Sequence, residues 1–163
     1  MPIFKIIMAS FLPKIKQIDY GSFKTTKLCS QKTFFGDGCV MRKILVVDDQ
    51  KNVRYSMSIG LGREGYFVDV ANNAQVALVK LKEQYYDFVL ADIRIPDING
   101  FVLASMIKEL YPNIKIILMS AYDFRDYEGR HQQMNNCPKL LKPFEMVELL
   151  KILSNNINCH AES

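Results

Sequence analysis

The hydrophobic pattern changes character at Met41. Upstream of it, apolar and basic residues are mixed with Gly21, Gly36 and Gly38, and no period is sustained. Downstream, short apolar runs alternate with stretches of helical spacing. Ile44–Val47 is a continuous apolar run, and Phe67–Val70, Phe88–Ala91, Ile114–Met119 and the short Leu140–Leu141 repeat its character. Runs this short and this apolar predict strands covered on both faces, as in a parallel sheet.

The intervening stretches repeat every three to four residues. Val53, Met57, Gly60 and Leu61 give one face of a first helix, Ala74, Ala77, Leu78 and Leu81 that of a second, and Leu103, Ala104, Ile107 and Leu110 that of a third. Phe144–Leu153 is a last helix, apolar on much of its circumference. Asn72 and Asn73 are caps for the second helix, because a short side-chain oxygen accepts from the first free N–H groups. Gly60 and Gly62 weaken the first helix locally. Tyr122–Asn136 is strongly polar, with Gly129 at its middle, and reads as a short frayed helix or partly as a loop. Strand and helix alternating along the chain predict an α/β doubly wound fold on a five-stranded parallel sheet.

Composition sharpens this picture in two places. Of 163 residues, 49% are hydrophobic and 23% charged, which excludes disorder of the whole chain. No apolar run is long enough to span a membrane. The net charge of +4 is unevenly placed: residues 1–40 carry Lys5, Lys14, Lys16, Lys24, Lys27 and Lys32 against Asp19 and Asp37, and the rest of the chain is balanced. The basic character is therefore no nucleic-acid footprint of the main domain, and no direct nucleic-acid partner is expected. The expected organisation is a basic N-terminal extension over 1–40, poorly ordered or a start-site artefact, a domain over 41–156 and a short tail over 157–163. Phe4, Ile7, Met8, Phe11 and Leu12 offer the alternative of a weak amphipathic anchor. The chain ends soon after the last helix, so no output domain is expected. Cys29, Cys39, Cys137 and Cys159 form no C-x-x-C, and only His131 and His160 could join them at a metal. They read as incidental thiols of a cytoplasmic protein.

The chemistry lies at the strand ends. In a doubly wound sheet, ligands bind at the carboxyl edge of the strands. The first strand ends in Asp48-Asp49, the third in Asp92, the fourth in Ser120 and the fifth in Lys142. Three carboxylates, a hydroxyl and an ammonium thus converge on one rim. Carboxylates packed together repel one another. A hard divalent cation such as Mg2+, which takes oxygen ligands and shares its shell with phosphate, resolves the repulsion. A metal and a lysine around one carboxylate suit phosphoryl transfer.

Four fragments, in order, resemble the response-regulator receiver domain of two-component signalling. They are the Arg42–Asp49 segment ending in Val-Val-Asp-Asp, the Phe88–Gly100 segment containing Ala-Asp-Ile-Arg-Ile-Pro-Asp, Ile116–Ala121, and Leu140-Leu-Lys-Pro-Phe. The resemblance covers roughly Met41 to Asn155. It implies strand order 2-1-3-4-5 and makes Asp92 the phosphoacceptor. It implies Mg2+ as cofactor, bound by Asp49 directly, by Asp48 directly or through water, by Asp92, and by the backbone carbonyl of Arg94. Ser120 would contact the phosphoryl group, Lys142 would pair with it, and Lys142-Pro143 would be a cis peptide. Arg94 and Tyr122 would flank the path of hydrolytic water. The phosphodonor would be a histidine kinase or phosphotransfer protein, and the output a contact with a downstream protein target.

Two departures from the family pattern stand out. The position three before the lysine, aromatic in most receivers, is Lys139, and the usual Gly-Ala pair before the fifth strand is replaced by Asn136-Cys137-Pro138. Tyr122 or Tyr127 could substitute for the aromatic. The leading expectation is a single-domain response regulator. A second is a degenerate receiver, a protein-binding module independent of phosphorylation. A third is a Mg2+-dependent aspartate-nucleophile phosphatase, which needs a second acid two residues after the nucleophile; that position is Arg94, so this reading ranks last. Asp97 reads as turn chemistry, with Pro96 fixing a backbone angle and Gly100 allowing a tight entry to the third helix.

Overall fold

A computed structural model describes residues 41–124 and 136–157. The expectations for 1–40, for a helix within 125–135, for Tyr127 and for the tail beyond 157 lie outside the described residues. The five strands are β1 (Lys43–Val47), β2 (Phe67–Ala71), β3 (Phe88–Asp92), β4 (Lys115–Ser120) and β5 (Lys139–Leu141). The helices between and after them are α1 (Lys51–Arg63), α2 (Ala74–Glu83), α3 (Gly100–Leu110) and α4 (Met146–Ile157). All strand pairs are parallel, in the order β2-β1-β3-β4-β5. The doubly wound sheet read from the sequence is the observed one.

Alternation along each strand divides the core in two. Leu45, Val47, Val89, Ala91, Ile116 and Leu118 point to the side covered by α2 and α3. Ile44, Val46, Phe88, Leu90, Ile117, Met119 and Leu140 point to the side covered by α1 and α4. Residues one apart on a strand face opposite ways, so an unbroken apolar run serves two layers at once.

The helices depart from the sequence reading in detail. Of the expected face of α1 only Leu61 is fully buried, and Val53 and Met57 are half-covered. Gly60 sits where a Cβ would meet the terminal methyl of Met146 on α4, at 2.3 Å, so its small size lets the two helices approach. In α3, Leu110 is 42% exposed, while Phe101 and Met106 join Leu103, Ala104 and Ile107 in the core. The last helix begins at Met146, two residues later than expected, after the Lys142–Pro143 cis peptide, and runs to Ile157. Asn73, not Asn72, caps α2, accepting from the Val76 amide at 2.8 Å. Asn99 does the same for α3 through the Phe101 amide at 2.8 Å. Gly65, at φ 87°, ends α1 in the left-handed region that glycine enters without steric cost.

Candidate functional site

The parallel sheet aims five strand ends at one edge, and those ends carry the polar residues buried in the described domain. Asp48, Asp92 and Ser120 are 0%, 5% and 0% exposed. Such groups are costly to bury unless paired. Asp48 follows β1 and Asp92 ends β3, two neighbouring strands held in register by Val47 opposite Ala91. Asp49, one residue further, is exposed. Carboxylate oxygens of Asp48, Asp49 and Asp92 lie within 4.8 Å of one another.

Lys142 enters this cluster from the end of β5. Its backbone amide donates to Ser120 O at 2.6 Å, which fixes where the side chain starts. Its ammonium donates to Asp48 Oδ2 at 2.5 Å and also to Asp92 Oδ2. One cation thus bridges two buried carboxylates contributed by different strands. Burial pulls the Lys142 ammonium toward its neutral form, but the hydrogen bonds and charges of Asp48 and Asp92 outweigh it and raise its pKa. Burial is also the leading influence on Asp48. It raises that carboxyl above its ordinary value, assisted by the charge of Asp92, against the lowering effect of Lys142 and the Gln50 amide. A single ammonium leaves the cluster with surplus negative charge.

The second oxygen of each buried carboxylate is held by the backbone. Asp48 Oδ1 accepts from the Gln50 amide, and Asp92 Oδ1 from the Arg94 amide, both at 2.8 Å. Gly100 brings the start of α3 hard against β3. A Cβ there would stand 2.2 Å from the Asp92 carbonyl oxygen, and the Gly100 amide donates to Ile93 O at 3.0 Å. The expected tight entry to α3 is real, and its reason is close approach to the backbone of Asp92; φ at Gly100 is not in the left-handed region.

The remaining predicted residues form the rim. Ser120 Oγ donates to Tyr122 O at 2.7 Å and accepts from the Tyr122 amide at 2.9 Å, so its hydroxyl is engaged within its own turn. The Arg94 guanidinium lies 3.6 Å from the centroid of the Tyr122 ring, and both side chains are largely exposed. Lys139 places its ammonium 5.7 Å from the ring centroid of Phe124, and Phe124 packs on the core. Cys137 is a half-buried thiol outside any disulfide, the one cysteine among the described residues, and burial pushes its pKa up.

Two contributors escape the sequence reading. Asp97 does more than shape a turn: its carboxylate accepts from the Ala74 and Gln75 amides at 3.1 and 3.0 Å. It therefore fastens the β3–α3 loop to the N-terminus of α2, where a negative charge also meets the favourable end of the helix dipole. Arg54, in the first turns of α1, donates to the backbone carbonyls of both Asp48 and Asp49 at 2.7 Å. Neither pairing leaves a mark in periodicity, since both join segments through loop geometry. The Val-Val-Asp-Asp end of β1 was the only local hint.

Comparison with known proteins gives the arrangement a family. The model of the response regulator receiver domain matches residues 44–154. Sporulation initiation phosphotransferase F of Bacillus subtilis is 32% identical over 107 residues, covering 66% of this chain and 86% of that protein. The DNA-binding transcriptional regulator NtrC of Proteus hauseri is 32% identical over 119 residues, 73% of this chain. The chain spans only about a quarter of that regulator's length. Among solved structures, the response regulator TrrA of Thermotoga maritima in complex with Mg2+-BeF is 34% identical, with a TM-score of 0.64 over 71% of this chain and 98% of TrrA. TrrA has also been solved in complex with the histidine kinase ThkA. Strand order, the carboxylates at the ends of β1 and β3, the lysine after β5 and these matches agree: the chain belongs to the response regulator receiver domain family of two-component signalling.

Proposed function

We propose that this chain is a single-domain response regulator that accepts a phosphoryl group on Asp92 with the help of Mg2+. The observation that carries the reading is the convergence of Asp48, Asp49 and Asp92 with Lys142 bridging two of them. The donor set fits a hard divalent cation. It is made of oxygens, one carboxylate is open to solvent, and three carboxylates face a single ammonium. Asp49 would hold the ion directly, Asp48 directly or through water, with Asp92 and the Arg94 carbonyl completing the protein's share. When bound, the ion neutralises charge on the transferring phosphoryl oxygens.

The chain's own residues supply the rest. An Asp92 carboxylate oxygen attacks phosphorus as the bond to the donor's leaving group breaks, giving an acyl phosphate on Asp92. Lys142, held protonated, pairs with the new phosphoryl oxygens. Ser120 reaches the phosphoryl group by exchanging its bond to Tyr122 O for one to a phosphoryl oxygen. Arg94 and Tyr122 stack across the approach to Asp92 and restrict hydrolytic water. The phosphodonor is a histidine kinase or phosphotransfer protein, consistent with the ThkA complex of TrrA. The phosphorylated surface then acts on a protein target in the cytoplasm. No external substrate is turned over, so the chain is a signalling module, not an enzyme in the ordinary sense.

A specific observation favours a second reading. Lys139 stands where most receivers carry an aromatic residue, so a degenerate receiver that binds proteins without phosphorylation remains the alternative. Incubation with acetyl phosphate and Mg2+ separates the two. Stoichiometric acid-labile labelling of the parent, lost in Asp92→Asn, is expected; an unlabelled parent supports the degenerate module. Full labelling of Asp92→Asn points to another acceptor, and many turnovers on phosphate esters would mean a phosphatase.

A further inference from the structure

We propose that Arg54 is a positioning residue for the acidic pair, holding the backbone of Asp48 and Asp49 so that their carboxylates face Asp92. The proposal rests on the reading of this cluster as a Mg2+ site. At the start of the β1–α1 connection Asp48 is held by its amide, which donates to Ala71 O at 3.1 Å, and by its carboxylate, which accepts from Lys142. Gln50, the residue before α1, makes no side-chain cap, and the first turn of α1 holds no acidic residue. Two further ties, of opposite sense, bind the loop toward α1. The Asp48 carboxylate accepts from the Gln50 amide at 2.8 Å, and the Arg54 guanidinium donates through one nitrogen, Nη1, to Asp48 O and Asp49 O, each at 2.7 Å.

The geometry of the two carbonyls explains why an arginine serves here. They belong to consecutive residues of an irregular turn, outside β1 and α1. The two N–H groups of Nη1 are fixed in the plane of an always-charged guanidinium, so one nitrogen serves both neutral carbonyls with charge-assisted bonds. Because Arg54 sits on α1, it ties the orientation of the Asp48-Asp49 peptide to a helix packed on the sheet. Carboxylates presented by a peptide free to rock would meet a metal's octahedral demand less often. Its charge also stands behind the acidic pair without occupying a carboxylate oxygen, so it does not compete for the metal as Lys142 does. Partners that orient metal ligands from outside the ligand set typically contribute about 10–100-fold in affinity.

The test uses the full chain with Arg54→Met, Arg54→Lys and the parent. Mg2+ affinity is measured by calorimetry at a temperature where each is folded by circular dichroism. Exchange of the Gln50 amide is followed by NMR without metal. The expected result is a loss of about tenfold or more in Mg2+ affinity for Arg54→Met, with Arg54→Lys intermediate, because an ammonium keeps the charge but not donors held in a fixed plane. Faster exchange at Gln50 should accompany it in the metal-free protein. Parent-like affinity and parent-like Gln50 exchange in folded Arg54→Met would overturn the proposal, as would a lowered melting temperature with unchanged affinity, which marks a purely structural role. A parent that binds no Mg2+ would instead overturn the reading of the site itself, and the inference with it.

Discussion

Replacing Gly100 with alanine puts a methyl group where the structure has backbone. The new carbon would stand 2.2 Å from Asp92 O, 2.7 Å from Ile93 Cα and 2.9 Å from Asp92 C, against ordinary contacts of 3.4 Å and beyond. None of these atoms is the end of a movable side chain, so relief requires the start of α3 to retreat from β3 by about 1 Å. That retreat stretches the Gly100 N–H bond to Ile93 O and drags Phe101, Leu103 and Ala104, which α3 buries against the sheet. Overpacking of this kind costs about 1–3 kcal/mol, and the upper end applies because the clash is with main chain. About 3 kcal/mol corresponds to a melting temperature roughly 12 °C lower for a domain of this size. Gly62→Ala is the control. Nothing lies within 4 Å of its Cβ position and its φ is ordinary, so the added methyl should stabilise α1 by about 0.4–1 kcal/mol. Thermal unfolding by circular dichroism reads both. A Gly100→Ala protein melting within about 2 °C of the parent would refute the packing argument, and so would a Gly62→Ala protein as damaged as Gly100→Ala.

Other substitutions address separate parts of the structure. Asp97→Ala removes the acceptor for two amides of α2 and should cost about 1 kcal/mol, read as a melting temperature lower by roughly 4 °C; an unchanged midpoint would mean the tie adds nothing. The buried Tyr86 hydroxyl donates to Asp69 at 2.8 Å, and burial first, with that bond second, raises its pKa above the usual 10. A raised pKa means full stability below pH 10 and a loss of up to about 1.4 kcal/mol per pH unit above it. Tyr86→Phe should therefore be less sensitive than the parent to denaturation between pH 10 and 11, and parallel alkaline profiles would contradict this. Under the proposed function, Arg94→Asn with Tyr122→Glu opens the approach to Asp92 and should speed loss of the label, tenfold for each ~1.4 kcal/mol of barrier. Decay at the parent rate would mean that the stacked pair shields nothing, and slower decay would reverse the argument.

The parts legible in the sequence were those written as local pattern. Strands buried on both faces have to be apolar at every position, so Ile44–Val47 and Phe88–Ala91 announced themselves. The acidic cluster was legible because parallel strands carry whatever follows their last apolar residue to one edge. Leu110 misled because periodicity describes the helix and not the extent of the sheet beneath it; Phe101 and Met106 filled the arc instead. Arg54 and Asp97 were invisible as partners for a different reason. Each satisfies backbone groups of another segment, 22 and 23 residues away in sequence for Asp97, and backbone groups have no letter in a sequence.

These backbone ties bear on how the site tolerates its own charge. Three carboxylates facing one ammonium leave an excess of two negative charges in a partly buried place; burial first, and the charge of Asp92 last, push the Asp48 pKa up. Left to relax, such a cluster would splay until water or protons relieved it. The structure prevents this by fastening each loop through a group that spends no carboxylate oxygen on a cation: Arg54 on two carbonyls, Gly100 against the Asp92 backbone, Asp97 on the amides of α2. The carboxylates thus stay close enough to repel, and the stability forgone is recovered when positive charge arrives. Under the proposed function a divalent ion brings just the charge that neutralises the cluster, and Lys142, already on Asp92, stands ready for the phosphoryl oxygens. A loop that could relax would lower the cost of the empty cluster and, by the same amount, the affinity for the ion.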